Sequence, residues 1–456
     1  MQISDTMDKK LALENWQYYS GNHQQFYNGR GLPKHHPLSE MFNRELNRIF
    51  QSYNVCGEIV DHYANALVGK PFSWSVVADD GSINQGAEQI FSRWLEWQSE
   101  ASIELNIGDP LTNAVRQMLV TDRGDSIGTG YLRVYSPEVF SNLEPFKQVL
   151  FHSPAIEQVN IERNCVGIAC HAEYFYGDRE SETYTLLNNN LTSIESNGSQ
   201  IQADYGGLLP VFGMNGKCLI SDAVKRGQNA INRALTYKEK NLEAAGFIER
   251  IIINAQPPGQ WSENGETGNL EFILDRKPIA TGSNVATFIT GMPIGDPRTP
   301  KGYTKPSISY RDPVSPNSFV ESVKMDIYKI YHQAGLSYLI DSDLGSISGA
   351  SRQSLRDNFL YRLGTYQRTI EATLNRLFSI VIKALATSYP VMQGCRPIVR
   401  LNLAIAPSIN ERQENVKDVL AGIMSIPTAI ANNGLDVASE LQLIRKYSHL
   451  LQKFDN

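Results

Sequence analysis

The sequence predicts an α+β protein, on three observations. Apolar residues recur at helical spacing near both ends of the chain. β-Forming residues cluster between turn residues from 148 to 187. A second β-rich stretch, from 248 to 312, lies between two amphipathic helical segments. At 456 residues the chain can bury a large core and hold more than one substructure.

The first helical pattern runs from Pro37 to Leu67, with Phe42, Leu46, Ile49, Tyr53, Cys56, Val60, Tyr63 and Leu67 at three- and four-residue steps. Gly69 and Pro71 stop it. Two more helices are expected near Ala87–Gln98 and Asp109–Val120, and a strand at Thr129–Tyr135. Three strand-like runs follow (VNIERN, VGIACHAEYFYG and ETYTLL), and the polar tract 187–200 reads as a loop or hairpin tip with little to bury. Ser221 caps a helix that reaches Ala245, its narrow stripe formed by Val224, Ile231, Leu235 and Leu242.

Residues 248–312 return to strands in IERIIINAQ, NLEFILD, NVATFITG and SISYRD, separated by proline- and glycine-rich connectors. The next helix is expected to start at Ser318, with Glu321 completing a capping box, and to stop at Gly335. The tract DSDLGSISGAS (341–351) then leads into a long helix, Gly349 to Thr387, with Gly364 as a kink site. One strand, Arg400–Ala406, precedes a helical tail from Glu411 to Phe454, with turns at Ile426-Pro427 and at 432–434.

Composition narrows the function. Charged residues make up 20% and the formal net charge is −6, so no basic face announces a sequence-specific duplex reader. No apolar run has the eighteen or so residues a membrane span needs, and the first residues lack the layout of a secretory signal. Five scattered cysteines fit a reducing, cytosolic origin.

Candidate chemistry is sparse. GSISG (345–349) before a helix could cradle an anion, yet no GxxxxGK[ST] occurs, so a hinge is the expectation. Asp341 and Asp343 lack the further spacing of a cation loop and read as solvated charges. Cys165, Cys170 and His171 lack a fourth zinc ligand, and strand alternation around them favours packing. No GxSxG elbow supports Ser/His/Asp catalysis. Lys238 and Lys240, with Arg352, Arg356, Arg362, Arg368 and Arg376, read as mixed-charge helix faces. The expectation is no enzyme, no cofactor and no metal. The tract 341–351 then has a mechanical role.

Three features together resemble the portal proteins of tailed bacteriophages. NVCGEIVD (54–61) running into ALVGKP (66–71) is similar to the family's early helix closed by G-x-P. The order of helix, β-insert and helix from 221 to 336 is the second feature, and SGASR (348–352), similar to the family's entry into its long helix, is the third. The SRQSLR run (351–356) is more polar than the family's pattern, and the first forty residues and 187–200 align to no shared pattern.

The resemblance implies a portal fold assembled as a ring, twelve copies in a capsid, around double-stranded DNA. It implies a wing at 1–220, stem helices at 221–247 and 316–336, a clip at 248–315, a channel loop at 337–348, a long helix and wing strand at 349–407, and a crown at 408–456. The residues implied to line the channel are Asp341, Ser342, Asp343, Leu344, Gly345, Ser346, Ile347 and Ser348, with Lys238 and Lys240 on its wall. The implied partners are the terminase large subunit, head-completion adaptors and a major capsid or scaffolding protein. The implied location is the portal vertex of the virion, after synthesis in the bacterial cytoplasm. The competing reading is another oligomeric capsid-associated structural or scaffold protein.

Overall fold

The computed structural model describes residues 3–4, 9–26, 44, 46–122, 126–136, 140–164, 169–176, 180–187, 191–196, 198–245, 249–257, 259–265, 269–275, 290–311, 315–340, 349–404, 409–432 and 440–444. The chain is mixed α and β, 50% helical and 23% strand, in keeping with the α+β class. It divides into two compact units. The larger comprises Met1–Tyr27, Ser52–Ile231 and Met325–Asn456, and the smaller Asn28–Gln51 and Asn232–Lys324.

The principal helices are α1 (Lys9–Tyr19), α2 (Val55–Val68), α3 (Gln85–Glu104), α4 (Pro110–Val120), α5 (Asp222–Ala245), α6 (Pro316–Ala334), α7 (Ser337–Ile340), α8 (Gly349–Ala386), α9 (Ile409–Leu420) and α10 (Ile426–Asn432). Short polar side chains fix several starts. Asn54 accepts the Gly57 N–H at 2.9 Å, Asn84 that of Ala87 at 3.1 Å, and Asp109 those of Leu111 and Thr112 at 3.2 Å. Each bond satisfies a donor that a helix start would leave open.

In the larger unit α8 is the central rod. Its 38 residues span about 57 Å at 1.5 Å per residue. Phe359, Leu363, Ile370, Leu374, Leu377, Phe378, Val381 and Leu385 on it are all buried. At one end Phe378 meets Phe91 and Trp94 at ring-centroid distances of 5.1 and 5.7 Å, and Trp94 donates to the Val149 carbonyl at 2.8 Å. Strand Arg396–Arg400 pairs antiparallel with Ser73–Val77.

Two antiparallel sheets complete the unit. A three-stranded sheet is ordered Val211–Lys217, Ile127–Tyr135, Leu150–His152. Helix α4 lies directly on its middle strand. A Cβ at Gly130 would sit 1.9 Å from the Ala114 carbonyl oxygen, so only glycine permits that approach. The six-stranded sheet runs Ile3–Ser4, Val159–Arg163, Ala169–Phe175, Ser181–Leu186, Thr192–Ser196, Ser199–Ala203. Arg133 binds it to its neighbour, donating to Tyr184 at 3.0 Å and to Glu182, with its guanidinium 4.1 Å from the Tyr174 ring centroid.

His152 lies beside that arginine, packed edge-on to Tyr135 at 4.8 Å. Burial first, and the Arg133 charge second, push its imidazole down from 6.5 to about 3. A histidine with a depressed folded pKa contributes stability that is whole above pH 6.5 and is lost as pH falls towards 3. We predict that His152→Phe removes this component. Urea midpoints between pH 6.5 and 4 should fall less steeply than in the parent, by ~1–3 kcal/mol over the window. Parallel pH profiles would contradict the assignment.

The smaller unit is built of two-stranded ribbons: Glu249–Ile253 with Ser307–Arg311, Gly259–Glu263 with Leu270–Leu274, and Pro293–Ile294 with Gly302–Tyr303. Within it Leu46, Asn232 and Thr236 are buried; from Tyr237 to Lys324, among the residues whose side chains are described, no side chain is buried.

Several sequence expectations change. The helix expected from Pro37 is not continuous to Leu67: residues 50–54 are non-helical, and Asn54 opens α2 while its amide donates to the Tyr19 carbonyl. The tract 187–200 holds strand Thr192–Ser196 and the start of Ser199–Ala203, with Thr192 and Ser193 buried; Thr192 donates to the Leu208 carbonyl at 3.0 Å. Strands Val211–Lys217 and Gly259–Glu263 were not expected, the second because it lies inside a Pro/Gly-rich connector. Helix α6 begins at Pro316, whose fixed φ suits a first turn, so Ser318 lies within that turn and caps nothing. The last strand is Arg396–Arg400, earlier than expected, and Leu401–Ala404 are non-regular. Ile426-Pro427 opens α10, and the turn falls at 421–425. Helix α8 passes through Gly364 without a break. Most of NVATFITG, and Cys165, lie outside the described residues.

Candidate functional site

Residues 341–348, which include all eight expected channel-loop positions, lie outside the described residues. Their two flanks are described, and the flanks form the candidate site: the end of α6, helix α7, and the head of α8, all packed against α2.

Helix α6 ends in a closed turn. The Gly335 N–H donates to the His332 carbonyl at 3.1 Å and the Leu336 N–H to Tyr331 at 2.8 Å, the paired bonds of a Schellman ending. Gly335 sits at φ +75°, and the fully buried Leu336 supplies the apolar contact such an ending uses. Two remaining carbonyls are taken by side chains from other helices. Tyr63 of α2 donates to Ala334 at 2.5 Å, and Arg362 of α8 donates to Gln333 at 2.7 Å. Arg362 thereby caps α6; it is not part of a surface charge ladder.

Helix α7 is docked by Tyr338. Its hydroxyl lies 2.6 Å from His62 Nε2, and its ring is 5.4 Å from Phe359, which also meets Tyr63 edge-on at 5.0 Å. One face of α2 therefore holds both flanks. Glu58, one turn before His62, accepts from Tyr331 at 2.8 Å and from Tyr53. Asp61 accepts from Tyr19 and from Arg116, each at 3.0 Å. Tyr19, Tyr53, Glu58, Asp61, His62 and Tyr331 line an open hollow of about 860 Å³.

Protonation follows from burial and neighbours. Burial pushes Tyr63 and Tyr338 up to about 12; the Glu58 hydrogen bond, then burial, does the same for Tyr53. Burial, then the Asp61 charge, raises Tyr19 to about 12, and burial, then Glu58, raises Tyr331 further. Burial lowers His62 below its ordinary value. Every one of these shifts moves a group away from neutral pH. The tyrosine hydroxyls therefore stay protonated at neutral pH and remain hydrogen-bond donors to the groups they touch.

Gly335 gives a direct test. An added Cβ would stand 2.8 Å from Arg362 Cδ and Nε, at a φ that side chains resist. Gly335→Ala should cost ~2 kcal/mol in urea denaturation, from left-handed backbone strain plus a weakened Arg362 cap. A loss below ~0.5 kcal/mol would mean the turn relaxes freely.

The other expected residues fall elsewhere. Lys238 and Lys240 lie on α5 in the smaller unit, both half-buried; Lys240 Nζ is 3.2 Å from Glu243. Arg376 lies over the Phe212 ring at 4.8 Å, half-buried rather than on an exposed charged face. His171 Nδ1 is 3.1 Å from the Thr185 hydroxyl, within a strand. Sequence reasoning placed Tyr63 on an apolar face and read Arg362 as part of a mixed-charge face, but missed Tyr338 and His62. The Gly335-Leu336 pair, glycine then a large apolar residue, was the available signal for the closed turn.

Among the described residues, no helix is long and apolar enough to cross a membrane. No protein-family model matches the sequence, and no curated protein matches it significantly.

Proposed function

We propose that this chain is a portal-type protein of a tailed bacteriophage. It forms a ring at one capsid vertex, passes double-stranded DNA during packaging and ejection, and docks a terminase and later head-completion proteins. The observation that carries this reading is the anchoring of the two flanks of residues 341–348. One flank is a helix end capped from two other helices, and the other is the head of a 38-residue helix.

Ring symmetry sets such a segment at one radius in every copy, so a short loop becomes a collar. Copies carrying −6 each give the ring a net negative charge, which weakens its overall hold on DNA. That suits sliding, because many fixed phosphate contacts would hold the duplex back. Energy for movement then comes from a separate ATPase, and the ring acts as conduit and valve. The rival reading, another capsid-associated structural oligomer, shares the assembly but needs no channel.

Sedimentation velocity tests the assembly. The reading expects a closed species near twelve times the 51.0 kDa chain mass. Purely monomeric protein at micromolar concentration would contradict it.

A further inference from the structure

Partly buried arginines in the larger unit are matched with acceptors. Arg133 donates to Tyr184 and Glu182, Arg116 to Asp61 at 3.0 Å, and Arg362 to the Gln333 carbonyl at 2.7 Å. Arg376 of α8 is different. Its Nε is sealed from solvent and has no hydrogen-bond partner. Its guanidinium lies 4.8 Å from the ring centre of Phe212, which is itself only 2% exposed. The ring covers one face of the fork but offers no acceptor to the N–H groups in its plane. No carboxylate lies against it among the described residues; the neighbouring charge is another cation, Arg163, at the end of strand Val159–Arg163. Burial first, and that second cation next, lower the Arg376 guanidinium from its ordinary value. Arginine keeps its proton all the same, so a charged five-donor group is left without an acceptor. Such a group is among the costliest to bury.

We propose that Arg376, with Arg163 as its second arm, binds the phosphate group of a small molecule. The fork selects the ligand class. Phosphate presents two oxygens in the guanidinium plane and keeps a further oxygen and charge for Arg163. A carboxylate has only two oxygens, and the first arginine uses both. Duplex DNA is the poorer fit, since its phosphodiesters carry one charge each and Arg376 stacks on a ring sealed below the surface. The Phe212 ring then holds the fork in one plane before the ligand arrives. The inference depends on neither the ring nor the DNA channel of the proposed function.

The test is titration calorimetry of the full chain in phosphate-free buffer, with inorganic phosphate and adenosine monophosphate as probes. Saturable binding of at least one is expected, and Arg376→Met should abolish it. That variant should fold, because replacing an unpaired buried charge with an apolar side chain removes a cost; circular dichroism checks the fold. Arg376→Lys keeps the charge but loses the fork, and should weaken binding roughly tenfold. Arg163→Gln should weaken it by roughly the same factor. Arg298→Gln, in the smaller unit, should leave it unchanged. Tighter binding of the monophosphate would support the site with a nucleotide as its ligand, and equal or weaker binding would support it with free phosphate. No saturable binding of either probe, or unchanged binding by Arg376→Met, would overturn the inference. Displacement of the probe by a short duplex oligonucleotide would also overturn it, because the arginines would then read a DNA backbone.

Discussion

Deleting Leu344–Ser346 should leave the oligomer intact and cut the DNA retained per particle by an order of magnitude or more. The assembly is expected to survive because the hold on each flank includes bonds and ring contacts made entirely by residues outside those three. Gly335 and Leu336 close α6, Tyr338 docks α7 on His62 and Phe359, and Arg362 ties α8 to Gln333. The retention defect follows from reach. Three extended residues span about 10 Å, and symmetry withdraws that length from every copy at once. DNA content per purified particle reads the result directly. Full genome content with normal particle yield would show that the segment is a passive linker.

The second large effect is structural. Phe359 is fully buried and touches Tyr63 and His62 of α2 and Tyr338 of α7. Phe359→Ala should cost about 3–5 kcal/mol, the transfer of the ring plus the cavity left where three rings meet. Phe359→Leu should cost markedly less, because leucine refills most of the volume. Denaturation midpoints of the larger unit measure both. Equal losses for the two variants would mean that specific ring contacts matter more than volume at this position.

Helices were largely legible because their signals are local. Asp109 before Pro110, Asn84 before a periodic run, and Gly335 before Leu336 each state a start or a stop within four residues. The long helix α8 was visible from its apolar face alone. Strands were less so, since a strand is decided by a partner that can lie anywhere in the chain. Arg396–Arg400 is fixed by Ser73–Val77, more than three hundred residues away, and no local pattern marks the pairing. Gly259–Glu263 was hidden because Trp261 is its one large apolar residue and its neighbours are glycine and proline.

The candidate site was half legible. The plain chemistry of 341–348 could be read directly, since missing motifs are a property of sequence. The grip on its flanks could not, because Tyr63, Arg362 and Tyr338 act on carbonyls and rings from distant segments. Arginines on a helix look alike in sequence whether they face water, cap a neighbouring helix or cover a phenylalanine ring.

The central claim is that this chain works as a ring around DNA, and imaging the purified protein by negative-stain electron microscopy tests it most directly. The account predicts closed rings with a central hole wide enough for a B-form duplex. Open or filamentous assemblies, rings without a hole, or single chains at micromolar concentration would contradict it.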